Sequence, residues 1–264
     1  MSAYTIACLG KGGTGKTLVS TMIGRIARDA GLRALLIDAD PCMGLTVNCG
    51  LTGIRTVADA REEIIESVRR IKPDTPEWET RDIVAFLLSQ TLVEKDGLAF
   101  IAMGQSQSLG CYCSLNSLLR RMIATIVDRF DIVVIDAEAG IEQVNRQVVE
   151  RVDQALFLAD GSQRAVQTCI LLRDTVAKIP MMANCRMNVL FNRVPAVPET
   201  HRQTLEQAGL PVIGFLPPDD AVSAADADQG ALHGLPAGAV TYRRLSAILG
   251  EIGAVKPAPS DDFR

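Results

Sequence analysis

Gly10-Lys11-Gly12-Gly13-Thr14-Gly15-Lys16-Thr17 is the stretch whose residue types and spacing carry chemistry most directly. It fits G-x-x-x-x-G-K-[ST], in which glycines let backbone N–H groups turn inward around phosphate oxygens. A helix opening at its end adds a dipole that favours an anion. In such a loop Lys16 reaches the β- and γ-phosphates and Thr17 binds Mg²⁺. Gly12, Gly13, Thr14, Gly15 and Leu18 complete the cradle. Lys11 places a second ammonium at the start of the loop, for a phosphate or for solvent.

Three carboxylates fall where such a loop would use them. Asp38 and Asp40, in Asp38-Ala39-Asp40-Pro41, follow the apolar run Ala34–Ile37, and Asp136 follows Ile132–Ile135. Asp38 and Asp136 are suited to the magnesium site and Asp40 to orienting an attacking water. Phosphoryl transfer needs positioning and charge neutralisation more than covalent chemistry. An Asp before Pro is equally an ordinary turn-maker. The run Asp136–Glu142 reads as a γ-phosphate-sensing switch, with Glu138 its acid and Gly140 its freedom to move.

Cys111 and Cys113 stand two apart in Gly110-Cys111-Tyr112-Cys113-Ser114. Within a helix they would point roughly 200° apart and share nothing. In an extended segment they would lie on one face about 6.5–7 Å apart. In a turn they converge, and Gly110 with a helix starting at Ser114 favours the turn. A helix N-terminus also favours thiolates. Two thiolates are too few for a closed site, whereas a symmetric dimer supplies four. The other reading is a pair of ordinary core cysteines.

The remaining candidates are weaker. Cys42 reads as a packed small residue, with redox sensing as its other use. Cys8, Cys49, Cys169 and Cys185 lack ligand spacing and read as core. His201 is expected on an exposed helix and His233 in a glycine-rich loop. With two histidines in the chain, a His-built metal site is nearly excluded. Trp78, in the break Pro73–Trp78, is expected to anchor the excursion, with a partner surface as the weaker reading.

The elements that must position these groups alternate. Strands are expected at Tyr4–Leu9, Ala34–Ile37, Leu98–Met103, Asp131–Asp136, Ala155–Ala159, Met187–Asn192 and Val212–Leu216. Helices are expected at Leu18–Ala30, Ser114–Phe130, Glu142–Val152, Ser162–Ile179, Glu199–Ala208, Ala221–Asp228 and Ala239–Ile252, with a frayed tail from Lys256. Residues 55–97 read as a helical excursion, with helices at Arg61–Lys72 and Asp82–Ser89. Strand–helix alternation predicts an α/β fold: a mostly parallel central sheet with helices on both faces, and ligands at the carboxyl ends of the strands. The 264 residues are read as a single domain, 1–264.

Composition narrows the classes. The chain is 48% hydrophobic, 22% charged and 4% aromatic, which is globular rather than disordered. A net charge of -4 gives no sign of a nucleic-acid binder. No apolar run approaches the ~20 residues of a membrane span, and the N-terminus has no basic region before its apolar stretch. Seven cysteines without a secretion signal point to reduced thiols and a cytoplasmic protein.

The pattern K-G-G-x-G-K-T at Lys11–Thr17 resembles the deviant Walker A loop of the partition, septum-positioning, nitrogenase-iron-protein and metal-insertion ATPases. Gly110–Cys113, Asn116–Arg120 and Glu138–Glu142 together resemble the CooC-type ATPases, which assist nickel insertion into carbon monoxide dehydrogenase. The likeness runs from Lys11 to about Asp219. It implies ATP hydrolysis with Asp40 as hydrolytic aspartate, and a homodimer in which Lys11 crosses to the partner's phosphates. It implies adenine contacts at Asn192 and Arg193 and at Pro217-Pro218-Asp219. Asn192-Arg193-Val194-Pro195 lacks the aspartate of a guanine-reading N-K-x-D, which favours ATP over GTP. Nickel at Cys111 and Cys113 is implied by the resemblance; thiolates admit Zn²⁺ as well.

Two other readings stand beside it. A partition or septum-positioning switch acting on DNA or a membrane would want a basic patch or basic terminal helix, and leaves the cysteine pair unexplained. An iron–sulfur ATPase would want cysteines from separated segments, and none directly follows the Asp136–Gly140 switch.

Overall fold

The computed structural model describes residues 3–70, 77–105, 113–137, 149, 151–227 and 235–255. Its strands are β1 (Tyr4–Gly10), β2 (Ala34–Asp38), β3 (Leu92–Lys95), β4 (Leu98–Ala102), β5 (Ile132–Asp136), β6 (Gln154–Ala159), β7 (Arg186–Asn192) and β8 (Val212–Leu216). Its helices are α1 (Lys16–Asp29), α2 (Gly44–Asn48), α3 (Val57–Arg70), α4 (Glu77–Ser89), α5 (Cys113–Val127), α6 (Gln163–Val176), α7 (Glu199–Gln207), α8 (Asp220–Ala227) and α9 (Val240–Glu251).

The eight strands form one sheet in the order β3-β4-β2-β5-β1-β6-β7-β8. Every neighbouring pair is parallel except β3 with β4. The expected α/β architecture is the observed one. Alternate strand residues feed two apolar layers, because successive side chains of a strand point to opposite faces. In β1, Ala7 and Leu9 pack with α3, α4, α5, α6 and α7 residues, whereas Ile6 and Cys8 pack with α1, α2 and α9 residues. Burial on both faces explains why these strands read as unbroken apolar runs.

Two elements depart from expectation. Residues 92–95 form an edge strand, not part of a helical excursion. It pairs antiparallel with β4 across Asp96-Gly97, whose φ values of 52° and 73° are those of a tight hairpin turn. Residues 44–48 form α2, which no expectation covered. The helix expected at Glu142–Val152 is not continued at its end, since Val149, Arg151 and Val152 are not helical; the rest lies outside the described residues. The helix expected at Arg61 starts at Val57. Thr56 Oγ1 accepts from Asp59 N at 3.1 Å while Asp59 Oδ2 accepts from Thr56 N at 2.9 Å, a reciprocal N-terminal cap.

Four side chains sit otherwise than expected. Trp78 is 62% exposed, in the first turn of α4. Cys42 is exposed, not packed. Cys185 is only half-buried. His201 is half-buried, its ring parallel to that of Phe191 at 6.4 Å between centroids. Cys8, Cys49 and Cys169 are core residues, and burial pushes their thiols up to about 12, about 11 and about 12. His233 and the tail from Lys256 lie outside the described residues.

Candidate functional site

The glycine loop leaves β1 at the centre of the sheet and enters α1 at Lys16. Gly10 has φ 140°, and a Cβ there would run into the backbone carbonyl of Leu158 on β6. Gly15, at φ 86°, is the left-handed residue before the helix, and a Cβ there would run into the Asn192 amide. Both positions therefore need glycine for the loop to lie this close to its neighbours.

The loop closes on itself. Thr14 Oγ1 and Lys16 Nζ donate to the Lys11 carbonyl at 2.9 and 3.3 Å. Asn192, 1% exposed at the end of β7, donates Nδ2 to the Thr14 carbonyl at 2.9 Å. Arg193, at φ 59°, donates to the Gly13 carbonyl. Thus Asn192 and Arg193 meet the loop backbone, where a base contact was expected. Gly12 and Gly13 are exposed and Leu18 is buried behind them.

The carboxylates converge on the loop from neighbouring strands. Asp38 on β2 stands in register with Asp136 on β5, which is itself in register with Cys8 on β1. Asp136 accepts from Ser20 Oγ at 3.2 Å and from the Thr17 side chain. It is 2% exposed, and burial, reinforced by the Asp38 charge, pushes its carboxyl up to about 6. Burial also raises Asp38, against hydrogen bonds from Thr46 N at 2.9 Å and Thr46 Oγ1 at 3.1 Å. Lys16 and Thr17 act on Asp136, but two buried carboxylates carry more negative charge than one ammonium offsets, and that excess fits a hard divalent cation. Asp40 lies half-buried beyond the strand, its Oδ1 accepting from Cys42 N at 2.8 Å.

Lys11 points outward from the loop, its Nζ 3.8 Å from Asp160 Oδ2. Asp160 follows β6 and also accepts from Ser162 Oγ at 2.6 Å. Leu216 pairs with Asn192, so Pro217 follows on the strand beside it. Asp219 holds two helices: Oδ1 accepts from Ala221 N at 3.1 Å and Oδ2 from Thr241 N at 3.0 Å. Each oxygen thus accepts one backbone N–H and keeps a further lone pair.

Ser20, Thr46 and Asp160 were missed by sequence reasoning. Asp160 had a signal, since it ends the apolar run Ala155–Ala159 as Asp38 and Asp136 end theirs. Of the cysteine pair, Cys111 lies outside the described residues, and Cys113 is the first residue of α5. Glu138 and Gly140 also lie outside them. Among the described residues, no group of three or more His, Cys, Asp or Glu side chains is placed to hold a metal. Among them, no helix is long and apolar enough to cross a membrane.

Comparison with known proteins joins this geometry. Residues 5–232 match the model of the CobQ/CobB/MinD/ParA nucleotide binding domain. An uncharacterised ATP-binding protein of Methanocaldococcus jannaschii is 30% identical over 249 residues, 94% of this chain and 97% of the relative. The carbon monoxide dehydrogenase accessory protein CooC of Rhodospirillum rubrum is 28% identical over 230 residues, 84% of this chain and 86% of the relative. Among solved structures, the septum site-determining protein MinD of Pyrococcus horikoshii, complexed with Mg-ADP, superposes with a TM-score of 0.67. At 14% identity it covers 95% of this chain and 97% of its own, a likeness of fold.

Proposed function

We propose, from the premise that this chain belongs to the CobQ/CobB/MinD/ParA nucleotide-binding domain family, that it is an ATP-hydrolysing dimeric metallochaperone. Its cargo is a thiophilic divalent metal, nickel by similarity to CooC, and its client a carbon monoxide dehydrogenase-like enzyme. Zinc fits the same ligands.

The observation that supports the reading is that α5 begins at Cys113. A thiol at a helix N-terminus is favoured as the thiolate by the dipole. One chain supplies two sulfurs through Cys111 and Cys113. A two-fold dimer supplies four, enough to close a site that opens when the dimer opens. Metal affinity then follows the nucleotide state.

The whole chain acts as one unit in this scheme. Lys16 leaves the Lys11 carbonyl for the β- and γ-phosphates, while the N–H groups of Gly12–Thr17 bind phosphate oxygens. Asn192, Arg193, Pro217 and Asp219 border the adenine, and Leu18 packs beneath the loop. Thr17, Asp38 and Asp136 hold Mg²⁺, which neutralises charge on the phosphates when bound. Asp40 orients water for in-line attack on the γ-phosphorus. The bond to the β-γ bridging oxygen breaks, and ADP and phosphate leave. Lys11 serves the partner's phosphates, and Glu138 with Gly140 relays their loss to the dimer face.

The test is a titration of Ni²⁺ into reduced, oxygen-free protein, with bound metal and mass measured together. One metal per two chains, lost in Cys111→Ala/Cys113→Ala, supports the bridged site. Absence of binding by the unsubstituted chain, with and without ATP, overturns metal delivery and leaves a nucleotide switch of another kind.

A further inference from the structure

The glycine loop is held from outside, by two consecutive residues at the end of β7. A loop of this composition is loose on its own, because glycine gives up the most backbone freedom when it is ordered. A Cβ at Gly12 or Gly13 would meet nothing within 4 Å, so packing does not restrain this part of the loop. Hydrogen bonds must set its conformation instead.

The loop carbonyls show where those bonds come from. The Lys11 carbonyl accepts from Thr14 Oγ1 at 2.9 Å and Lys16 Nζ at 3.3 Å, and the Gly15 carbonyl from Val19 N at 3.0 Å. These bonds are local. The Thr14 carbonyl accepts from Asn192 Nδ2 at 2.9 Å, and the Gly13 carbonyl from Arg193 Nη2. These two join residues 178 and 180 positions apart.

Asn192 is 1% exposed and Thr14 0%, so their bond forms away from water, where an unmade bond costs most. Consecutive residues of a strand point to opposite sides of a sheet. Arg193 breaks that alternation with φ 59°, which a non-glycine residue adopts rarely and keeps where its surroundings fix it. Both side chains can then reach one loop. The next residue anchors the turn, Val194 N donating to the Leu216 carbonyl at 3.2 Å.

The consequence concerns phosphate. Inward N–H groups bind phosphate oxygens, whereas a carbonyl oxygen repels them. Lys16 and Thr17 open α1, where the N–H groups have no carbonyl of their own helix to bind. A Gly13 or Thr14 carbonyl that turned toward the same anion would oppose them. Fixed on β7, neither carbonyl is free to turn.

We propose that Asn192 and Arg193 are positioning residues for phosphate binding: they hold the Gly13 and Thr14 carbonyls on β7 and so preset the loop before a nucleotide arrives. A loop preset for only part of the time binds more weakly by that fraction. The loss is therefore felt at the phosphates, whatever the base. The proposal rests on the nucleotide site of the function proposed above and not on metal delivery.

The test measures binding of ADP and of pyrophosphate, each with Mg²⁺, by calorimetry in nickel-free buffer. Both lack the third phosphate, so ATP-dependent dimer closure does not enter. Asn192→Ala and Arg193→Ala are each expected to weaken ADP about threefold to tenfold and pyrophosphate by the same factor. In nucleotide-free protein, the amides of residues 12–15 exchange hydrogen faster in both variants, while those of β6 keep their rates. Arg193 is exposed, so its truncation leaves the core intact and decides the matter should Asn192→Ala fold poorly. A loss for ADP with none for pyrophosphate overturns the proposal and makes these residues contacts of the base. Unchanged exchange overturns it too, because loss of the Arg193 charge alone would weaken both anions without loosening the loop. An unsubstituted chain that binds ADP but not pyrophosphate also overturns it, since the base then carries the affinity. Binding of neither by the unsubstituted chain is failure of the nucleotide site itself and takes the proposal with it, so the two failures are distinct.

Discussion

Asp136 carries the site's electrostatic tension. Its carboxyl titrates near about 6 in the fold and near about 3.9 in an unfolded chain. The folded state therefore holds that proton more tightly. Its contribution to stability is fully present below about pH 4 and is lost as pH rises through about 6. Asp136→Asn removes the charge and keeps the shape. In nucleotide-free protein, the melting-temperature difference between this variant and the unsubstituted chain should favour the variant more at pH 8 than at pH 5. The bound is about 3 kcal/mol for a shift of this size. Equal differences at both pH values would sink the assignment. With Mg-ATP the order should reverse, because the ionised form then has a cation to bind. The strand-end position of Asp136 was legible because an acid ending an apolar run breaks the pattern. Its partner Ser20 was not, because Ser20 lies on α1 and meets it only across the sheet. Asn192 was legible as a strand end too, but not its bond to the Thr14 carbonyl, which depends on how closely two loops approach.

At the level of elements, the strands and long helices were legible because each is an apolar run or a 3.6-residue period with turn residues at its ends. The failures are short. α2 spans five residues, too few to show a period, and follows Met43 in the left-handed region at φ 53°. β3 spans four residues, although Asp96-Gly97 was a hairpin signal that went unused. α2 matters because it sits between Asp40 and the hairpin. At one end Asp38 holds Thr46; at the other, Lys95 donates to the Cys49 and Gly50 carbonyls at 2.7 and 3.1 Å. Thr46 is 1% exposed, and its hydroxyl reaches both the Asp38 carboxylate and the Met43 carbonyl. Thr46→Val keeps the volume and deletes that donor from a buried carboxylate. The expected loss is about 1.5–3 kcal/mol, read as a lower urea midpoint at unchanged slope. An unchanged midpoint would mean that α2 is held by its backbone bond alone.

For the whole molecule, the dimer proposed above gives the two loop lysines different tasks, Lys16 in binding and Lys11 in assembly. Lys16 is folded into the loop, on the Lys11 carbonyl, within reach of phosphates bound by its own chain. Lys11 projects from the carboxyl ends of the strands, one-third exposed, with Asp160 the acid beside it. The exposed Gly12, Gly13 and Cys42 lie around it on the same end of the sheet. A second chain meeting this end would bring each Lys11 toward the other's nucleotide, and the ammonium would leave a half-exposed ion pair worth at most about 1 kcal/mol. That loss is small against a triphosphate's charge in a closed interface. Lys16→Ala should therefore lose ATP binding outright. Lys11→Ala should keep ATP affinity within about tenfold, a change of about 1.4 kcal/mol. It should remain monomeric with ATP and fail to turn it over. Light scattering with and without a slowly hydrolysed ATP analogue, beside nucleotide titration, separates the two. An ATP-dependent dimer of Lys11→Ala would place Lys11 outside the interface and would leave the four-sulfur site without its assembly mechanism.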